Sequence, residues 1–262
     1  MMGNNDQQAY DRGTSLFSPD GRIYQVEYAR EAVSRGAPSV GVRTTDGVVF
    51  VAMSRPSSSL MEAESIEKLH KLDDHLGTAS AGHVADARQL IDLARRQSQG
   101  NRLRYGEPVG VETLTKFVTD HIQENTQRGG TRPYGAALLI GGIDDGEPRL
   151  FAADPSGTPN EWKATVIGGG RQDIQGHLEA EWSEDLSLED GIELAVAALA
   201  AHDDEFEPSD LAVATVTEAD GFSTVPVERV TAAFEAAGLG ADEEDDEGTG
   251  ADAESDADES DE

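Results

Sequence analysis

The pattern of the sequence predicts an α+β fold: two antiparallel sheets with helix pairs on their outer faces. Three observations carry this reading. Strand-like runs come in pairs around Asp46-Gly47, Asp145-Gly146 and Asp220-Gly221, dipeptides suited to tight antiparallel reversals. Apolar residues at helical spacing occur as paired segments between the strand groups. Helix and strand do not alternate one for one, as a parallel sheet would require. Two antiparallel sheets packed together, with helices outside, satisfy all three.

The elements follow in order. After the Pro19-Asp20-Gly21 turn, Val26, Ala29, Ala32 and Val33 form a helical stripe. Val40-Gly41-Val42 and Val48 to Met53 read as the first hairpin. Val84, Ala87, Ile91 and Ala94 line a helix expected to end near Gly100, and Leu114, Phe117, Val118 and Ile122 line another that stops before Gly129-Gly130. Strands are expected at Ala136–Ile140, Arg149–Ala153 and Lys163–Ile167, with Asp154-Pro155-Ser156-Gly157 as a turn. A helix carries Ile174 and Leu178. The next begins at Ser187, whose hydroxyl can cap it with Asp190 three residues on, and is striped by Leu188, Ile192, Ala195 and Leu199. Leu211–Val216 and Phe222–Val225 form the last hairpin. Pro226 opens a final helix with Val227, Val230 and Phe234 facing inward and Gly238 as its stop.

Composition narrows the function. The 262 residues contain no Cys, so disulfides, thiolate metal sites and Cys nucleophiles are excluded. There is no apolar run of membrane-spanning length and no secretion signal in the polar N-terminus, so a soluble cytoplasmic protein is expected. The formal net charge is -32, and only Lys68, Lys71, Lys116 and Lys163 among the 20 basic residues are lysines. From Asp242 to Glu262 there are 13 acidic residues and no basic one, which leaves the body at -19. Such a body repels itself at ordinary ionic strength. At about 1 M salt the Debye length falls to about 3 Å and the repulsion is largely screened. An acidic, Lys-poor chain therefore fits a cytoplasm of molar salt. The acidity argues against nucleic acid as a partner, since phosphate binding needs a basic footprint. Residues 240–262 cannot bury enough apolar surface to order themselves.

Some constellations are bland. His70, His75, His83, His121, His177 and His202 show no metal-ligand spacing. Gly168-Gly169-Gly170 lacks the Lys-Ser/Thr of a phosphate loop and reads as a tight turn. No cofactor is expected.

A family resemblance rests on several spaced motifs. Tyr10-Asp11-Arg12, Phe17-Ser18-Pro19-Asp20-Gly21-Arg22 and Gln25-Val26-Glu27-Tyr28-Ala29, continued by Gly36, Ser39, Val40 and Gly41, resemble the N-terminal signature of proteasome α subunits. Ser65-Ile66-Glu67-Lys68-Leu69, Ala81-Gly82-His83-Val84-Ala85-Asp86-Ala87-Arg88, Arg132-Pro133-Tyr134-Gly135 and Asp154-Pro155-Ser156-Gly157 followed by Glu161-Trp162-Lys163-Ala164 extend it. The match runs from about residue 10 to 238.

The resemblance implies an Ntn-hydrolase-like αββα sandwich and heptameric rings that cap catalytic β rings. It divides the chain into a gate arm and turn (1–12), an α-type domain (13–239) and an acidic tail (240–262). Its implied partners are other α subunits, β subunits, an ATPase activator with C-terminal docking tails, and unfolded substrates passing through. It implies a gate turn of Tyr10, Asp11, Pro19 and Tyr28. It places an activator pocket at Lys68, Gly82 and Glu27, where the ammonium meets a terminal carboxylate. His83 departs from the apolar residue frequent at its position and puts the pocket's apolar contact in question. A pore-entrance loop is implied at Gly129, Gly130, Arg132, Pro133 and Tyr134. The chain is not expected to be the peptidase. Laying the Ser39-Val40-Gly41 strand on the β-type pattern puts Ala37 at the nucleophilic Thr and Met53 near its acidic partner. Neither side chain can do that chemistry.

Overall fold

The computed structural model describes residues 17–56, 58–128 and 130–239. In chain order the elements are α1 (Tyr24–Ser34), β1 (Ser39–Arg43), β2 (Gly47–Met53), β3 (Leu69–Asp73), β4 (Leu76–Gly82), α2 (Val84–Tyr105), α3 (Val111–Gln127), β5 (Ala136–Asp144), β6 (Glu147–Ala153), β7 (Pro159–Glu161), β8 (Ala164–Ile167), α4 (Arg171–Glu181), α5 (Leu188–Ala200), β9 (Leu211–Thr217), β10 (Gly221–Thr224) and α6 (Val227–Ala236). The strands form two five-stranded sheets, β10-β9-β2-β1-β8 and β3-β4-β5-β6-β7, and every pairing is antiparallel.

The period of two along a strand divides its side chains between two faces. In β2, Val49, Val51 and Met53 join Ile174, Leu178, Ile192 and Val230 in an outer core under α4, α5 and α6. Val48 and Phe50 point the other way and meet Ala79, Leu139 and Leu150 between the sheets. In β5, Leu138 and Ile140 lie under α2 and α3 with Leu90, Leu114 and Ile122, while Ala137 and Leu139 face the opposite sheet. The layers are therefore helix, sheet, sheet, helix. The inter-sheet layer is thin at two glycines. A Cβ on Gly41 would come within 3.0 Å of Leu150, and one on Gly141 within 2.9 Å of Val48. Helix α1 belongs to neither outer layer. It lies against β4 and β5, and Val33 closes one end of the inter-sheet core.

Most expected elements are present, including the capping box in which Ser187 Oγ accepts from the Asp190 amide and the Asp190 carboxylate accepts from the Ser187 amide. Several expectations need correction. Helix α2 does not stop at Gly100; it runs on to Tyr105 and ends at Gly106, whose φ of 75° supplies the left-handed cap. The Gly100 Cβ position is open to solvent, so the glycine costs propensity without breaking the helix. Ala32, Val84 and Val227 are exposed rather than inward. Strands β3, β4 and β7 are not expected from the sequence pattern. Strand β4 reads Leu-Gly-Thr-Ala-Ser-Ala-Gly, buried on both faces by neighbours, and so shows no alternation and only one β-branched residue, Thr78.

Candidate functional site

Lys68 lies just before β3, and its backbone carbonyl accepts from the Ser80 amide of β4. Its side chain turns inward. Nζ donates to the carbonyls of Ala37 (2.7 Å), Met53 (3.0 Å) and Pro38 (3.2 Å). These are its only partners among the described residues, and none is a carboxylate. Burial pulls the ammonium down to about 8. The ammonium is thus half buried, and its partners among the described residues are three carbonyls and no anion.

Ala37 and Pro38 belong to the link between α1 and β1, and Met53 ends β2; glycines pad the link on both sides. A Cβ on Gly36 would come within 2.6 Å of the Gly82 nitrogen, and one on Gly168 within 2.8 Å of the Ala37 carbonyl oxygen. Gly82 itself has φ +95°, and its Cβ would sit 2.4 Å from the Gly135 carbonyl oxygen. Only glycine fits there. Lys68 and Gly82 thus meet across residues 36–38. Glu27 is elsewhere: its carboxylate receives Arg30 Nη1 at 3.0 Å, and Arg30 Nε bonds Asp154 at 2.9 Å. Glu27, Arg30 and Asp154 edge a separate cavity of about 370 Å³ floored by Val33, Ala137 and Ile167. Within one chain, the structure does not join Glu27 to Lys68.

Ala37 and Met53 both converge on Lys68 Nζ through their carbonyls. The two positions laid on a nucleophile and its acidic partner are neighbours in space, with no hydroxyl and no carboxylate between them.

The loop before β5 is anchored by side-chain contacts to α2 and α3. Arg132 grips Asp86 with both guanidinium nitrogens, Nη1 to Oδ2 at 2.5 Å and Nη2 to Oδ1 at 2.7 Å. The Gly135 amide adds a bond to Asp86 Oδ2 at 2.8 Å. Burial pushes the Asp86 carboxyl upward, but the Arg132 fork and the Gly135 N–H outweigh it and hold the group below the usual range. Pro133 is buried, and the Tyr134 hydroxyl reaches His121 Nε2 at 3.1 Å. Gly130, with φ +86°, turns the chain at the outer edge. Gly129 lies outside the described residues. His83, at the foot of α2, places Nδ1 3.7 Å from Asp86 and is exposed.

Residues 33–216 match the proteasome subunit family, and residues 10–32 match the N-terminal signature of its A-type members. The chain belongs to the proteasome α subunit family. It is 66% identical to the proteasome alpha 2 subunit of Haloferax volcanii over 246 residues, which cover 94% of this chain and 98% of the relative. It is 60% identical to the proteasome alpha subunit of Natronomonas pharaonis, covering 94% and 100%. It is 66% identical to that of Halobacterium salinarum, covering 76% and 79%. These are proteins of halophilic archaea, in line with the acidic composition.

In this α-type chain the expected gate turn is described only in part. Tyr10 and Asp11 lie outside the described residues. Pro19 sits in a tight turn closed by Ser18 N–H to the Arg22 carbonyl and Gly21 N–H to the Ser18 carbonyl, both 2.8 Å. Tyr28 is half exposed on α1. Among the described residues no His, Asp or Glu group has metal-site geometry. The sequence reading missed Asp86 as the anchor of Arg132. An acid in the first turn of a helix is common, and nothing local says which cation will reach it. The carbonyls that receive Lys68 carry no side-chain signal at all.

Proposed function

We propose that this chain is a non-catalytic α-ring subunit of a 20S proteasome core. It forms heptameric outer rings, bars the axial channel with residues 1–12, supports the β rings, and receives the C-terminal tails of an ATPase activator at Lys68 for ATP-dependent degradation. The single observation that supports this best is the Lys68 ammonium, half buried beside Gly82 with carbonyls but no carboxylate around it. A tail carboxylate supplies the missing charge. The gate turn would comprise Tyr10, Asp11, Pro19 and Tyr28. Glu27 would contribute to docking only across a subunit boundary, since within the chain it pairs with Arg30.

The pore loop in this reading comprises Gly129, Gly130, Arg132, Pro133 and Tyr134; of the described residues, Gly130 and Thr131 offer its edge, while Arg132, Pro133 and Tyr134 hold that edge in place. The absence of peptidase chemistry follows from Ala37, which has no hydroxyl, and from α1 standing upstream of it as part of the fold. Work in the cytoplasm fits the composition, and among the described residues no helix is long and apolar enough to cross a membrane. The test is peptide hydrolysis by rings of this chain alone, together with N-terminal sequencing. Retention of residues 1–36 with no turnover is expected. Robust turnover by a chain trimmed to a new N-terminus would overturn the reading.

A further inference from the structure

The chain has four lysines, and three of them meet carboxylates. Lys71 Nζ lies 2.6 Å from Asp74, Lys116 Nζ 2.6 Å from Glu112 and Lys163 Nζ 2.9 Å from Glu184. A carboxylate in contact favours an ammonium over the neutral amine. Lys68 has no such partner among the described residues. Its three N–H groups go to the carbonyls of Ala37, Pro38 and Met53, whose side chains carry no charge. Glu67, beside it in the chain, lies 4.0 Å from His70 Nδ1. Burial without a counter-charge lowers the Lys68 ammonium to about 8, so neutral amine is present near neutral pH.

Loss of the proton leaves two N–H donors and one lone pair, and a lone pair is repelled by a carbonyl oxygen. The Pro38 carbonyl accepts from the Met53 amide at 3.0 Å, which fixes its direction, and the contacts of Lys68 with Pro38 and Met53 are part-buried. The Ala37 contact is solvent-facing, and among the described residues Lys68 is the only donor to that carbonyl. Water can take over there at little cost. The neutral amine therefore keeps its N–H groups on Pro38 and Met53 and turns its lone pair outward, past Ala37. We propose that Lys68 is an acylation site, that its amine takes the acyl group of a small acyl phosphate, and that the acylated side chain no longer receives a docking carboxylate; this last step rests on the docking reading above. The nitrogen attacks the acyl carbonyl carbon, the bond from that carbon to the phosphate oxygen breaks, phosphate leaves, and the proton of the amine passes to solvent. The product is an amide with one N–H and no charge. It has nothing to offer an anion beyond a single neutral donor.

The experiment uses the assembled particle in molar salt near neutral pH, with deuterated acetyl phosphate as the probe. Peptide mass spectrometry reads the acetylated fraction at each lysine over time. Lys68 should react about tenfold faster than Lys71, Lys116 or Lys163. After unfolding in urea the four should react alike. If Lys68 reacts no faster than the other three in the folded particle, or if its preference survives unfolding, the proposal is overturned. Docking is read by the fluorescence anisotropy of a labelled octapeptide ending in leucine with a free carboxylate. Its binding should fall in proportion to Lys68 acetylation, and the bound peptide should slow that acetylation. If Lys68 is acetylated first and the peptide binds as before, the blocking step and the docking reading fall together while the reactive amine stands. If the peptide binds through Lys68 but Lys68 shows no preference for the acyl donor, docking stands and this inference falls.

Discussion

Replacing Lys68 with Met tests whether the lysine serves stability or binding. The substitution keeps the unbranched stem and removes the charge. Burial that lowers the pKa to about 8 corresponds to about 3 kcal/mol against the charged form, and Met removes that penalty. On the other side, three hydrogen bonds are lost. Ala37's carbonyl faces solvent and Pro38's retains the Met53 amide. Only the part-buried Met53 carbonyl is orphaned, at about 1–3 kcal/mol. The terms nearly cancel, so Lys68→Met should unfold within about 2 kcal/mol of the wild type in urea at molar salt and neutral pH. Activator-stimulated degradation should nonetheless be abolished, and particles lacking residues 1–12 should stay active with Met at 68. The sign of the pH effect is fixed. Below about pH 8 both folded and unfolded chains carry the proton, and the full penalty is present. Between about 8 and about 10.4 only the unfolded chain holds it, so wild-type stability rises with pH and the Met variant lacks that rise. Tail docking should weaken over the same interval, as the free site loses its charge. A loss above about 4 kcal/mol, or failure to assemble, would make Lys68 a structural staple and sink the argument that it is kept for a ligand.

Four further outcomes follow from the same structure. Arg132→Ala should cost about 2 kcal/mol in thermal or urea unfolding, because it strips the fork from buried Asp86, with the figure reduced for the guanidinium's exposure. The Asp86 contribution should be present above about pH 4 and fade as pH falls further, a dependence that Asp86→Asn should abolish. Deleting residues 1–12 should raise hydrolysis of casein by the complete particle without activator, and short peptides should respond less; unchanged casein exclusion would acquit the arm. Sedimentation should show the particle dissociating as salt falls from molar to tens of millimolar, since bodies of -19 then repel across shared interfaces, and a ring intact at low salt would refute the screening argument.

Much of this protein is legible in local chemistry. The Asp-Gly hairpins and the Ser187–Asp190 cap are short-range signals, and the structure carries them where expected. The helix stripes are legible because a 3.6-residue period marks one face for burial. Strand β4 is not, because small residues packed on both sides leave no alternation to read, and β3, Leu-His-Lys-Leu-Asp, is short and carries no β-branched residue. The end of α2 is misjudged at Gly100 because a glycine's propensity cost is small beside the burial of Leu90, Ile91 and Ala94 along the same helix.

The candidate site divides the same way. By itself the sequence determined that the chain is strongly acidic and poor in lysine, that it has no cysteine chemistry, that no hydroxyl stands at position 37, and that Lys68 and Gly82 are candidate site residues. Only the tertiary structure decided what those residues touch. It put Lys68 on three backbone carbonyls, paired the exposed Arg132 with the buried Asp86, and left Glu27 with Arg30 rather than with Lys68. The reason is physical. Charge, propensity and turn chemistry are properties of residues and their near neighbours. A backbone carbonyl is identical at every position until the fold brings a donor to it from 15 to 31 residues away.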